Sequence, residues 1–140
     1  MRSARLDVQT RSRCELVEIT KLVRSAVRQV GLREGAVLVY CPHTTAGVTV
    51  QENADLDVRR DLLVALENAV PDAPPGGRWL HAEGNTPAHV KASLLGASQL
   101  VPVEDGDLQL GRWQGVFFCE LDGPRSRQVV LRFLADAPAA

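Results

Sequence analysis

The sequence predicts an α+β fold: one compact domain with a mixed or antiparallel sheet and about three helices. Apolar, β-rich runs come in adjacent pairs near both ends of the chain. Three segments carry the i, i+3/i+4 apolar spacing of a helix. Helices and strands do not alternate one for one, which argues against a doubly wound parallel sheet. The expected order is ββα ββα α ββββ over residues 1 to 140, with 135 to 140 as a frayed tail.

Residues 4 to 9 and 13 to 19 read as strands, and the polar turn at Thr10 to Ser12 makes them an N-terminal hairpin. Thr20 is placed to cap a helix whose apolar positions are Leu22, Val23, Ala26, Val27 and Val30, with Gly31 closing it. Residues 35 to 41, GAVLVYC, are apolar on both faces and predict a central strand. A further strand covers 46 to 51. The next helix starts near Asp55 and sets Leu56, Leu62, Leu63, Leu66, Ala69 and Val70 on one side before Pro71 ends it. PDAPPGG, 71 to 77, is a loop. A third helix has Thr86 as N-cap, Pro87 at its first position and Val90, Leu94 and Leu95 as core, up to Gly96. Strands follow at 98 to 103, 108 to 110, through RWQGVFFCEL, and at 127 to 134. Trp113 between two glycines reads as a core residue or a pocket wall.

Composition narrows the class. The chain has 16 basic and 17 acidic residues for a net charge of −1, so no global attraction to nucleic acid or membrane is expected. The N-terminus lacks the apolar core of a signal peptide, and no apolar run is long enough to span a bilayer. Three scattered cysteines, Cys14, Cys41 and Cys119, read as buried thiols rather than a disulfide framework, and a cytoplasmic location is expected. Cys41, two residues from His43, is the one with a catalytic alternative.

The chemistry centres on residues 81 to 89, HAEGNTPAH, which hold two of the three histidines. Gly84 and Pro87 make this a loop that feeds a helix N-terminus, a setting that favours an anion. The third histidine lies in CPHTTAG, and the fold is expected to bring His43 to His81 and His89. Three imidazoles are a common ligand set for a catalytic divalent ion, zinc above all; ordinary surface or core histidines are the alternative. Glu83 and Glu52 are candidate acid/base groups, against plain solvated glutamates. Asp55 and Asp61 are either helix-surface residues or partners that orient a histidine. Thr44, Thr45, Asn85 and Thr86 can donate to phosphate oxygens, and Arg125 and Arg127 can clamp a phosphate; local turn bonding and solvation are the alternatives. No Walker A, GxGxxG, GxSxG or DDxxD-type run is present.

Three long motifs then resemble the YjbQ family, the secondary thiamine-phosphate synthase-like proteins. They are HTTAGVTVQENADLDVRRDL, HAEGNTPAHVKASLLGAS and the closing P…DG.L.LG.WQG…CE.DGPR.R run, together spanning about residues 4 to 134. The resemblance implies an α+β domain assembled as a homotrimer. It implies a site around His43, His81 and His89, accompanied by Glu52, Asp61, Glu83 and Asn85. It also implies a weak thiamine-phosphate synthase activity, which joins a pyrimidine diphosphate to a thiazole phosphate and would need magnesium or cationic side chains on the diphosphate. Arg112 stands where many members have Thr, and Trp79 where Tyr is usual.

The expected function is a cytoplasmic small-metabolite enzyme, a metal-dependent transferase or hydrolase, acting on a phosphorylated or heterocyclic molecule. His43, His81 and His89 would bind the metal or substrate, Glu83 would move the proton, and the Asn85–Thr86 helix start would hold an anion. The alternative is a trimeric binding protein without turnover.

Overall fold

The β-branched and aromatic runs form strands, and the computed structural model, which describes residues 2 to 138, arranges them in two antiparallel sheets. In chain order the elements are β1 (Ser3–Gln9), β2 (Glu15–Glu18), α1 (Thr20–Val30), β3 (Gly35–Tyr40), β4 (Ala46–Glu52), α2 (Leu56–Ala69), α3 (Thr86–Leu95), β5 (Ser98–Glu104), β6 (Asp107–Leu108), β7 (Gln114–Glu120) and β8 (Ser126–Ala135). The fold class and element order are the expected ones. The larger sheet runs β1-β8-β3-β5-β6 and the smaller β2-β7-β4.

The core lies where the inward faces of both sheets meet α1. Val37 and Val39 of β3, Val101 and Val103 of β5, and Val129 and Leu131 of β8 point inward at every second position. They form one cluster with Val48, Val116, Phe118 and the α1 residues Val23 and Val27. Each of these valines gains roughly 1.5–3 kcal/mol by leaving water. The outer face of the larger sheet is left uncovered at Tyr40, Leu100 and Leu134, so β3 is central in its sheet without being buried on both faces.

Local expectations fail where long-range contacts decide. Residues 4 to 9 and 13 to 19 do not form a hairpin: β1 pairs with β8 and β2 with β7. The turn between them carries the chain from one sheet to the other because Thr10 is buried there, its hydroxyl bonded to Glu120 at 2.7 Å. Thr20 does not cap α1; Ile19 precedes the helix, and the Thr20 hydroxyl accepts from Val116 N at 2.9 Å. Asp55 does cap α2 by accepting from Asp57 N, but no α2 residue is fully buried and Leu56 is 68% exposed.

In α3 the cap is Asn85, with Thr86 and Pro87 as the first helical residues. Its buried face is Pro87, Ala88, Lys91 and Ala92, whereas Leu94 is 63% exposed and Val90 is exposed as well. Lys91 is tolerated there because its ammonium meets the Glu67 carboxylate of α2 at 2.6 Å. Trp113 is exposed, not core; the guanidinium of Arg112 lies 4.7 Å from its ring centroid. Strand 108 to 110 shortens to β6, and the long strand begins only at Gln114, after a turn closed by its own side chain on Gly111 N. The expected tail is ordered at its start: Ala135 belongs to β8 and Asp136 N donates to Glu34 O. Ala139 and Ala140 lie outside the described residues. Among the described residues no helix is long and apolar enough to cross a membrane.

Candidate active site at the histidine cavity

Each functional side chain comes from a connection or an element end. His43 stands in the turn between β3 and β4, His81 and Glu83 in the loop before α3, Asn85 at the α3 start and His89 on its first turn. Arg125 comes from the β7–β8 turn and Arg127 from the start of β8. These residues, with Thr44 and Thr45, line one cavity of about 400 Å³. Two glycines make the geometry possible. Gly84 turns the loop at φ 74, a conformation that favours glycine, and its N–H closes on His81 O. A Cβ on Gly123 would stand 2.4 Å from Ser12 O, so only glycine lets the Arg125 turn approach this closely.

The His81 and His89 rings meet edge to face with centroids 5.4 Å apart. Glu83 Oε2 lies 3.9 Å from His81 Nε2. His43 Nε2 sits 3.0 Å from Gln128 N and 3.1 Å from Gln128 O, so the β8 backbone holds this ring in either tautomer and leaves Nδ1 without a hydrogen bond among the described residues. No three His, Cys, Asp or Glu side chains among the described residues gather in the geometry of a metal centre.

Asn85 Nδ2 donates to Asp122 Oδ2 at 2.8 Å and more weakly to Glu83 at 3.4 Å. This draws the side chain away from α3, whose start has no side-chain cap, and leaves Asn85 Oδ1 buried without a partner. Asp122 also accepts from Arg125 at 3.0 Å. Burial pushes its carboxyl up, but the bonds from Asn85 and Arg125 outweigh this and hold it below the usual carboxylate range.

Beneath the cavity lies a buried ion pair. Arg127 donates through Nε to Glu120 Oε1 at 2.9 Å and through Nη2 to Glu120 Oε2 at 2.5 Å, and its Nη2 also reaches Thr45 Oγ1 at 2.9 Å. The side chains are 6% and 0% exposed. Burial disfavours the Glu120 charge, and the hydrogen bonds from Arg127 and Thr10 overcome that to lower its pKa. Sequence reasoning did not name Glu120 or Asp122 as site residues. The signal for Glu120 was available, since it is the one charge inside the apolar run VFFCEL.

The His43 pKa is lowered from 6.5, first by burial and then by the Arg127 charge, against the opposing bond to Gln128. Its folded state therefore favours the neutral ring. Above pH 6.5 the ring is neutral folded or unfolded; as the pH falls below that value the unfolded chain takes up the proton first. Urea melts are expected to lose stability progressively as pH falls through this window, and the His43→Gln variant to lose less over the same range.

Not every candidate joins the cavity. Glu52 caps its own connection by accepting from Ala54 N at 2.8 Å, and it lines a separate hollow with Asp55 and Trp113. Asp61 is exposed on α2 beside Arg60. Thr86 is the first residue of α3 and does not line the cavity. Cys41 is buried with Sγ toward the His43 carbonyl at 3.8 Å, and burial raises its pKa, so it does not form a thiolate–imidazole pair. Cys119 is buried too, its thiol pushed up to about 12. Trp79 makes a polar contact of its own, its indole N–H lying 3.4 Å from Pro71 O.

Comparison with known proteins agrees over nearly the whole chain. The family model described as UPF0047 protein YjbQ-like matches residues 4–136. UPF0047 protein YugU of Bacillus subtilis is 47% identical, covering 92% of this chain and 96% of that protein. UPF0047 protein MJ1081 of Methanocaldococcus jannaschii is 42% identical over 92% of this chain and 91% of its own length. The crystal structure of an uncharacterized YjbQ/UPF0047 family protein from Clostridium acetobutylicum superposes with a TM-score of 0.89 at 46% identity, covering 94% of this chain and 99% of that one. The hypothetical protein APE1520 from Aeropyrum pernix gives a TM-score of 0.89 at 33% identity, covering 97% and 100%. With its sequence motifs, its fold and these relatives in agreement, the chain belongs to the YjbQ/UPF0047 family.

Proposed function

We propose that this chain is a cytoplasmic small-metabolite enzyme whose histidine cavity binds a divalent metal and a phosphate-bearing ligand. The observation that carries this reading is the convergence of His43, His81 and His89 with Glu83, Asn85 and Arg125 on one cavity. The donor set fits a divalent ion, zinc first: His43 can donate through Nε2 to the Gln128 carbonyl, the partner that commonly fixes a metal-bound imidazole, and so present Nδ1. His81 is exposed and His89 half-buried, so both rings have room to turn toward a shared ion. Such an ion would polarise a phosphoryl or carbonyl oxygen.

The chain's own groups supply the rest. Arg125, whose side chain is half exposed and lines the cavity, attracts the phosphate. Glu83 is the one carboxylate lining the cavity among the described residues, and it moves the proton. Thiamine-phosphate synthesis, with magnesium on the diphosphate, is at most a weak activity of such a site. Lys91 is committed to Glu67, two nitrogens of Arg127 to Glu120 and two of Arg125 to Asp122, so only the remaining Nη1 of the half-exposed Arg125 is left to face the phosphates. We further propose a homotrimer, supported by the uncovered apolar side chains Leu100 and Leu134 on the larger sheet and Leu56 and Val64 on α2.

A trimeric binding protein without turnover is the second reading. It is favoured by the position of Glu52 and Asp61 outside the cavity, which leaves a single acid/base group. Metal content of the purified protein tests the shared premise. Near-stoichiometric zinc or another transition metal, lost in His89→Ala, is the expected result. No metal in either protein, prepared without chelators or a His-tag, would sink the ligand role of the histidines.

A further inference from the structure

His43 also forms a wall of a second cavity. This one, of about 530 Å³, lies over the β1–β8 pair and is lined by Asp7, Gln9, Ser126 and Gln128 in addition to His43 and Arg127. Asp7 pairs with Gln128 and Gln9 with Ser126 across the two strands, so the four side chains form a cross-strand square beside the imidazole. Arg127 lines both cavities. Its Nε and Nη2 are taken by Glu120 and Thr45, and its Nη1 has no hydrogen-bond partner among the described residues.

The polar atoms here are unequally used. The donors are mostly spent: Gln128 Nε2 on Asp7 Oδ1 at 3.2 Å, the Ser126 hydroxyl on Gln9 Oε1 at 2.7 Å, and Gln9 Nε2 on the Thr10 and Arg125 carbonyls. The acceptors are not, since Asp7 Oδ2 and the Ser126 Oγ lone pairs have no partner among the described residues. Arg5 reaches Gln128 Oε1 at 3.5 Å, so the free acceptors of this wall are the Asp7 carboxylate and the Ser126 hydroxyl. Such a wall suits a group carrying O–H or N–H donors.

We infer that the ligand site has two compartments divided by His43, and that its ligand is a phosphate monoester of a polyhydroxy or amino-bearing body. The phosphate sits on the Arg125 side and the donor-bearing body lies over Asp7 and Ser126. This rests on the phosphate reading proposed above and narrows it to esters whose body carries O–H or N–H donors.

Calorimetric titration of the wild type, Ser126→Trp and Asp7→Ala with inorganic phosphate and with ribose 5-phosphate tests it. Two added hydrogen bonds make the ester about tenfold tighter than phosphate in the wild type. Ser126→Trp, which fills the second cavity from an exposed strand position, is expected to cancel that advantage and leave phosphate affinity unchanged. Asp7→Ala adds no bulk and serves the same purpose should the Trp variant not fold; it is expected to remove most of the advantage. A wild type that binds phosphate but gains nothing from the ribose overturns the two-compartment inference alone, as does an advantage that survives both variants. A wild type that binds neither probe overturns the phosphate reading and the inference with it.

Discussion

Arg127→Ala is expected to cost about 3–5 kcal/mol of stability, because it strands a fully buried carboxylate. Glu120 accepts two hydrogen bonds from this guanidinium and has no other cation at hydrogen-bonding distance among the described residues. Urea melts at neutral pH measure the loss. The double replacement Glu120→Leu with Arg127→Met removes both charges together, and it is expected to recover most of the stability. A single-variant cost of under about 1 kcal/mol would mean that the pair behaves like a surface ion pair. The same substitution reaches the site. Thr45 loses the donor on its hydroxyl, and Thr45 stands two residues from His43 in the same turn. Ligand affinity is therefore expected to fall in Arg127→Ala and to stay low in the double variant even where stability returns.

Glu83→Gln is expected to reduce turnover of a phosphorylated substrate by about 10²–10⁴-fold while binding survives, the loss typical of a removed acid/base group. Glutamine keeps the shape and can still accept from Asn85 Nδ2, so the loop geometry persists. Product release across a panel of phosphorylated metabolites, with calorimetry in parallel, reads both quantities. Full turnover in the variant would move proton transfer away from Glu83. Binding without turnover in the wild type would establish the binding-protein reading.

The element order was legible because it rests on local periodicity, which the sequence displays directly. The partners were not. Residues 4 to 9 and 13 to 19 are neighbours along the chain and so look like a hairpin, yet each finds its strand about a hundred residues away or more. In α3, Val90 and Leu94 look like the core side by hydropathy, but the helix turns Ala88, Lys91 and Ala92 inward. A buried lysine reads as surface until its partner is known, and Glu67 lies on another helix. The histidine cavity was legible because all three histidines stand in polar, glycine- or proline-interrupted stretches, where side chains converge from connections rather than from sheet faces. Glu120 escaped although it is the one charge inside VFFCEL, and Arg127 read as a phosphate clamp because its buried partner was not recognised.

The pairing of β1 with β8 sets when this molecule can finish folding. Ser3 is registered on Arg132 and Gln9 on Ser126, so within this domain the first strand waits for the eighth. β8 also separates β1 from β3, which means that the five-stranded sheet has a gap at its second position until residues 126 to 135 have emerged. Until then β1 and one edge of β3 present unpaired backbone, the kind of exposed edge that recruits other chains. Closing such distant ends is entropically slow compared with closing local turns. The nascent chain is thus most exposed to misassembly in the interval between synthesis of β3 and emergence of residues 126 to 135.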